Sequence, residues 1–230
     1  MSRADLYDEA YARRYRAHDE VTQSGGPYQA FVEWLGQVCA QFPPPIDVLD
    51  LGCGTGRYFW ALAGVRHLVG IDGSAAMIEQ ARHPIHADRI TAHDVTLVHG
   101  DLLAHEFQPD QFDLIYSIGV LAEHAPLDGG VAARARRWLR PGGRFAFTTV
   151  HPDSASIPRT PARRVGSALA RVLPEPLADP LRGRLLAGGL YADERRVAEL
   201  FSDGFEIETL RQFDSEAHRH CWCVARKRQA

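Results

Sequence analysis

The chain has 230 residues, 45% of them hydrophobic and 24% charged, with a formal net charge of −3. That length buries one good core, so a single domain over residues 1–230 is expected. The slight acidity excludes a general attraction to nucleic acid, and no apolar run approaches the ~20 residues of a membrane span.

Leu6, Tyr7, Ala10, Tyr11 and Tyr15 form a helical stripe over residues 5–17, with arginines on the other faces. After Gly25-Gly26-Pro27 a second helix runs to about Ala40, apolar at Phe31, Trp34, Leu35 and Val38, and Pro43-Pro44-Pro45 ends it. Residues 1–42 thus read as an N-terminal helical cap. Strands then alternate with helices, near 46–51, 67–71, 95–99, 112–117 and 143–150, and a helical pattern opens at Arg57–Leu62. This alternation argues a doubly wound, mostly parallel α/β sheet with helices on both faces. The link from His83 to His93 is polar and reads as a surface connection.

Residues 151–190 break the rhythm with six prolines and six arginines. They fall after the fifth strand and are read as a substrate lid. Asp193-Glu194 open a last amphipathic helix carrying Val197, Leu200 and Phe201, and two strands close the chain at Phe205–Leu210 and His220–Ala225. Within the last strand, His218, His220, Cys221 and Cys223 have the look of metal spacing. Strand alternation sends the histidines to one face and the cysteines to the other, so a core strand is expected and no metal is assigned. Four unevenly placed cysteines and no early signal-like stretch lead to the expectation of a reducing cytoplasm.

Chemistry concentrates at Asp50-Leu51-Gly52-Cys53-Gly54-Thr55-Gly56, where an apolar run ends in an acid and alternating glycines. Such a turn brings a ligand against backbone with no side chain in the way. Asp72, at the end of a second apolar run, sits where an acid accepts both hydroxyls of an adenosine ribose. A dinucleotide fold needs G-x-G-x-x-G, and the spacing here is G-x-G-x-G.

That stretch resembles the first motif of the class I S-adenosylmethionine-dependent methyltransferases. The resemblance continues in order through Val69–Ser74 and Met77, Leu97–Leu102, Phe112–Ser117 and Leu139–Arg144, making 46–150 a cofactor-binding core with 191–230 as the closing helix and strands. It implies strand order 3-2-1-4-5-7-6 with the last strand antiparallel, and S-adenosylmethionine as cofactor. It also implies roles: Asp50 toward the amino group, often through water, Gly52 and Gly54 along the methionine portion, and Asp72 on the ribose. Met77 would cover the adenine, Asp101 would accept from its amino group, and Leu102 would offer a backbone nitrogen. Gly73, Ser117 and, from the first helix, Tyr15 complete the implied contacts, with Cys53 a packed member of the glycine turn.

After the fourth strand, Ser117–His124 lacks both the Asn/Asp-Pro-Pro-aromatic tetrad of amino-methylating enzymes on nucleic acid and the Pro-Cys of cytosine-C5 enzymes. What remains resembles the small-molecule methyltransferases. Two histidines are candidate catalytic groups: His124 as a base on a substrate hydroxyl, and His151 at the end of the fifth strand. The expected function is methyl transfer to a small-molecule acceptor by in-line displacement. An RNA or protein methyltransferase and a catalytically silent cofactor-binding partner are the alternatives. The acceptor's identity and the oligomeric state stay open.

Overall fold

The structure, a computed structural model, describes residues 7–154, 172, 174, 191–215 and 218–229. Its helices are α1 (Glu9–Thr22), α2 (Gly26–Cys39), α3 (Ala75–Ala81), α4 (Gly129–Trp138) and α5 (Glu194–Leu200). Its strands are β1 (Ile46–Leu51), β2 (Val65–Asp72), β3 (Asp94–His99), β4 (Phe112–Ser117), β5 (Leu139–Val150), β6 (Phe205–Asp214) and β7 (Arg219–Lys227). They form one seven-stranded sheet in the order β3-β2-β1-β4-β5-β7-β6, the last strand antiparallel. Both topology and order are those the sequence resemblance implies.

Every residue of β1 is buried, as an inner parallel strand covered on both faces requires. β1 pairs in parallel with β2 and β4, setting Asp50 opposite Gly70 on one side and Tyr116 on the other. β2 pairs with β3 and sets Asp72 opposite His99. The C-terminal ends of β1, β2 and β4 therefore reach one edge of the sheet, the edge at which open α/β folds bind ligands. At the opposite end, Asp47 is bound by Arg66 (Nε to Oδ1, 2.9 Å) and Arg140 (Nη2 to Oδ2, 2.8 Å). Burial alone would raise its carboxyl; the two guanidinium groups outweigh it and hold the carboxyl below its usual range.

Three local expectations are corrected. The helix expected from Arg57 to Leu62 is one 3-10 turn, Phe59–Ala61. Gly52, Gly54 and Gly56 all have positive φ before it and Gly64 has φ 69° after it, so left-handed backbone at both ends leaves room for one turn. The first helix runs from Glu9 to Thr22, later than its apolar stripe, because Asp8 caps it by accepting the Tyr11 N–H at 2.7 Å. Between β3 and β4 the expected helix is a set of turns. Most of the expected lid at 151–190 lies outside the described residues.

Two compact units are distinguished: Met1–Ser117 with Arg134–Ala146 and Arg226–Ala230, and Ile118–Ala133 with Phe147–Ala225. In the first, Leu35, Val48, Leu49, Phe59, Leu68 and Ile115 are buried to 1% exposure or less. The second has an aromatic core in which Phe147 stacks on Phe201 at 4.9 Å and Phe201 meets Phe205 edge-on at 5.2 Å.

Candidate active site

The glycine turn after β1 is fastened to the end of β2. Gly52 N–H and Cys53 N–H both donate to the Ile71 carbonyl, at 2.9 and 3.0 Å. Gly54 N–H then donates to Asp72 Oδ2 and Ser74 N–H to Asp72 Oδ1, each at 2.9 Å. Two backbone donors from different loops thus fix the plane of the Asp72 carboxylate. Each of its oxygens keeps a second lone-pair direction for a ligand hydroxyl. Burial raises this carboxyl and the two N–H donors pull it back, leaving it above its ordinary value. A Cβ built on Gly54 (φ +53°) would meet nothing within 4 Å, so open space lies directly over the turn.

Asp50 is the second acid of the site. It is buried to 3% exposure, and burial pushes its carboxyl up to about 8; the Tyr116 hydroxyl lowers it somewhat and the Asp72 charge raises it. Among the described residues, no cation contributes to that balance. A carboxyl so placed suits a ligand that brings its own positive charge, as the ammonium of an amino-acid moiety does. Cys53, beside it, is 5% exposed and its thiol is raised well above the usual range by burial and by both acids, so it is inert packing.

The other predicted contacts are placed by their own elements. Ser117 Oγ donates to the Leu51 carbonyl at 2.7 Å, tying the end of β4 to the end of β1. Met77 is 4% exposed, and its N–H donates to Ser74 Oγ at 3.2 Å in the first turn of α3. Gly73 offers its carbonyl to His99 Nε2 at 3.2 Å. Asp101 is exposed and organises the turn containing Leu102, its Oδ1 accepting Leu103 N–H at 2.8 Å. Tyr15 on α1 stacks on Tyr11 at 6.1 Å, and burial, the largest influence, raises its hydroxyl while Arg57 lowers it.

The two candidate histidines lie in the second unit. His124 follows a tight bend in which Ala122 has φ 60° and the Val120 carbonyl accepts from His124 N–H (2.8 Å) and Ala125 N–H (3.0 Å). Gly119 N–H donates to Thr148 Oγ1 at 3.0 Å, anchoring the start of this loop to β5. The His124 side chain is 44% exposed and its Nε2 is 3.7 Å from Glu123 Oε1, whose carboxyl burial raises. His151 is buried, with Nδ1 accepting Asp153 N–H at 3.0 Å and Nε2 3.4 Å from Glu194 Oε2. An accepting Nδ1 puts the proton of a neutral ring on Nε2, facing the carboxylate. Both nitrogens are thereby engaged.

Cys221 joins this group, the ligand atoms of His151, Glu194 and Cys221 all lying within 4.8 Å of one another. The tautomer directs the Nε2 proton, not a lone pair, at the centre of the cluster, and Cys221 Sγ reaches the Ala192 carbonyl at 3.5 Å. The arrangement is a hydrogen-bonded brace between β5, β7 and the start of α5. Cys221 and Cys223 are fully buried, as a closing core strand requires. The sequence assigns no site role to Glu123, Glu194, Asp19 or Thr55: Glu194 is legible there only as an acid opening α5, and Thr55 only as part of the glycine turn.

Residues 48–143 match a family described as a methyltransferase domain. The chain is 30% identical over 213 residues to the carboxy-S-adenosyl-L-methionine synthase of Pseudomonas aeruginosa, covering 80% of this chain and 83% of that protein. It is 34% identical over 105 residues to the sterol 24-C-methyltransferase of Candida albicans, covering 44% of this chain; the match spans 27% of that longer enzyme. In fold it is similar to magnesium protoporphyrin IX methyltransferase from Synechocystis with bound SAH. The TM-score is 0.55 at 19% identity, over 91% of this chain and 83% of that one.

Proposed function

The chain belongs to the class I S-adenosylmethionine-dependent methyltransferases, and from that premise we propose that it methylates a small-molecule acceptor. The cofactor is S-adenosylmethionine. The residues fit it: Asp72 is aimed by Gly54 and Ser74 for a ribose, Asp50 has no cationic partner among the described residues, and the space over Gly54 is open. When bound, the cofactor supplies a methyl already activated on a sulfonium. The protein's task is then to align the acceptor's nucleophile with that methyl and to exclude water.

The observation that carries the small-molecule reading is the loop after β4. It holds neither the tetrad of amino-methylating enzymes on nucleic acid nor the Pro-Cys nucleophile of cytosine-C5 enzymes. Where the acceptor arrives protonated, His124 is the residue to take its proton, with the Glu123 carboxylate beside it to stabilise the imidazolium. His151 is assigned to holding the turn after β5, since its two nitrogens already have partners.

The test is an untargeted comparison of metabolites incubated with the protein and labelled S-adenosylmethionine, with Asp72→Ala as control. A metabolite gaining one labelled methyl supports the reading. Labelled RNA or protein, with no metabolite labelled, overturns the acceptor class. A second reading is favoured by the carboxy-S-adenosyl-L-methionine synthase that matches over 80% of the chain. In that case a carboxyl-donating metabolite loses its carboxyl group to the cofactor methyl, which gives up a hydrogen, and no acceptor is methylated; the same mass spectra resolve that product.

A further inference from the structure

A buried polar network joins α1 to the glycine turn, and the chemistry described so far does not use it. Asp19, on the last turns of α1, is 0% exposed, and Thr55, between Gly54 and Gly56, is 1% exposed. Thr55 Oγ1 donates to Asp19 Oδ2 at 2.5 Å, and Arg57 Nη1 lies 2.8 Å from Asp19 Oδ1. The guanidinium is itself held. It lies over the rings of Tyr28 (4.6 Å) and Tyr58 (5.3 Å), and Nη2 donates to Thr22 Oγ1 at 3.3 Å. Tyr28 Oη donates back to the Arg57 carbonyl at 2.9 Å and accepts from Trp60 Nε1 at 2.7 Å. The far end of α1 is fastened as well, because Ser74 Oγ donates to the Tyr7 carbonyl at 2.7 Å. Ser74 is the residue whose N–H orients Asp72. The two ends of the α1 segment are therefore tied to the two loops that carry the Asp72 carboxylate.

Net stability is a poor account of this network. Taking a carboxylate and a guanidinium out of water costs roughly what their attraction returns, and an apolar pair of the same volume often does as well. What a buried, directional pair supplies is geometry. Thr55 sits between two residues held at φ +53° and +73°, a backbone with no regular hydrogen-bond ladder to stiffen it. A hydrogen bond from its hydroxyl to a buried carboxylate fixes that peptide's orientation.

We propose that Asp19 and Arg57 are positioning residues of the cofactor site, pinning α1 to the glycine turn through Thr55 so that Gly54 and Gly56 keep the shape that admits the cofactor. The inference rests on the cofactor reading and goes beyond it, since Asp19 is 0% exposed and acts on the glycine turn through Thr55. Thr55→Val keeps the β-branched shape and removes the hydroxyl; Thr55→Ser keeps the hydroxyl. Calorimetry with SAH and steady-state kinetics on the full chain are the measurements, together with hydrogen exchange across residues 52–57.

Thr55→Val is expected to weaken SAH binding and raise the KM for S-adenosylmethionine about tenfold, with kcat within about twofold and faster exchange at Gly54 and Gly56. Thr55→Ser restores wild-type values. Asp19→Asn gives the same signature, and the Asp19→Asn, Thr55→Val double variant is no worse than either alone. Should Asp19→Asn fail to fold, the Thr55 pair carries the test. Wild-type protein that binds no SAH overturns the cofactor reading itself. Wild-type protein that binds SAH, with Thr55→Val binding as tightly, overturns the pin alone.

Discussion

Replacing Asp50 by asparagine should stabilise the free protein at alkaline pH while loosening its hold on the cofactor. The Asp50 carboxyl is raised by burial, from 3.8 to about 8. In the unfolded chain it titrates near 3.9, so from about pH 4 to pH 8 the folded state keeps a proton that the unfolded state has released. Stability therefore falls as pH rises through that window and is level on either side. The window spans about four pH units, and at about 1.4 kcal/mol per unit the ceiling is roughly 6 kcal/mol. Local relaxation and entry of water lower it. At pH 5 only the first unit has been crossed, so asparagine gains at most about 1.4 kcal/mol; by pH 8.5 it gains the whole. In a chain of this size the difference, about 4.6 kcal/mol at the ceiling, corresponds to about 9–18 °C in melting temperature. Thermal melts of both proteins at pH 5 and pH 8.5 make the comparison, and steric effects of the substitution cancel between the two conditions. Melting temperatures that stay parallel across this range would refute the reasoning. The complementary readout is SAH affinity: the wild type should bind more tightly as pH rises toward 8, because the ligand's ammonium needs an ionised Asp50, and the asparagine variant should lack that slope.

Asp72→Ala removes the acceptor for two backbone donors and for the ribose, each charge-assisted bond being worth about 1.5–3 kcal/mol; calorimetry should show SAH affinity down at least tenfold in a protein with wild-type circular dichroism, and unchanged affinity would remove Asp72 from the site. Two neighbouring glycines should respond in opposite ways. In Gly56→Ala the new Cβ lies 2.7 Å from Phe59 Cε2 at φ +73°, so urea melts should show a loss of about 2 kcal/mol or more. In Gly54→Ala the Cβ meets nothing within 4 Å, so stability should fall only by about 1 kcal/mol while cofactor binding is obstructed. His124→Gln should lower kcat by about a hundredfold with an acceptor that arrives protonated, and leave the KM for S-adenosylmethionine within about twofold; an unchanged kcat would show that no base is used there.

The succession of strands was legible in the chain itself, while the strand order in the sheet and the cofactor were legible through the resemblance of its motifs. A buried parallel strand writes itself as a short, mainly apolar stretch, Val48-Leu49 in β1 and Leu114-Ile115-Tyr116 in β4, and the glycines at 52, 54 and 56 with Asp72 write a ligand that must touch backbone. These are local signals, carried by period and spacing. The helix expected at Arg57–Leu62 failed for a local reason too, since the positive φ at Gly64 is a fact of backbone conformation that composition does not reveal.

What only the tertiary structure decided is which side chains meet. Asp19 in sequence is one more acid on an exposed-looking helix; the fold buries it against Thr55 and Arg57, 36 residues and more along the chain. His151, a candidate base by its place after β5, has its tautomer set by the Asp153 N–H and its proton aimed at Glu194, which no spacing rule connects to it. Cys221 stands among metal-like spacings in sequence, yet alternation along β7 turns it toward His151 and Glu194. The proton-binding strength of Asp50 likewise belongs to its enclosure rather than to its motif. Spacing names the residues that a backbone must present, while burial and partner choice, which set charge and proton position, depend on contacts between segments far apart in the chain.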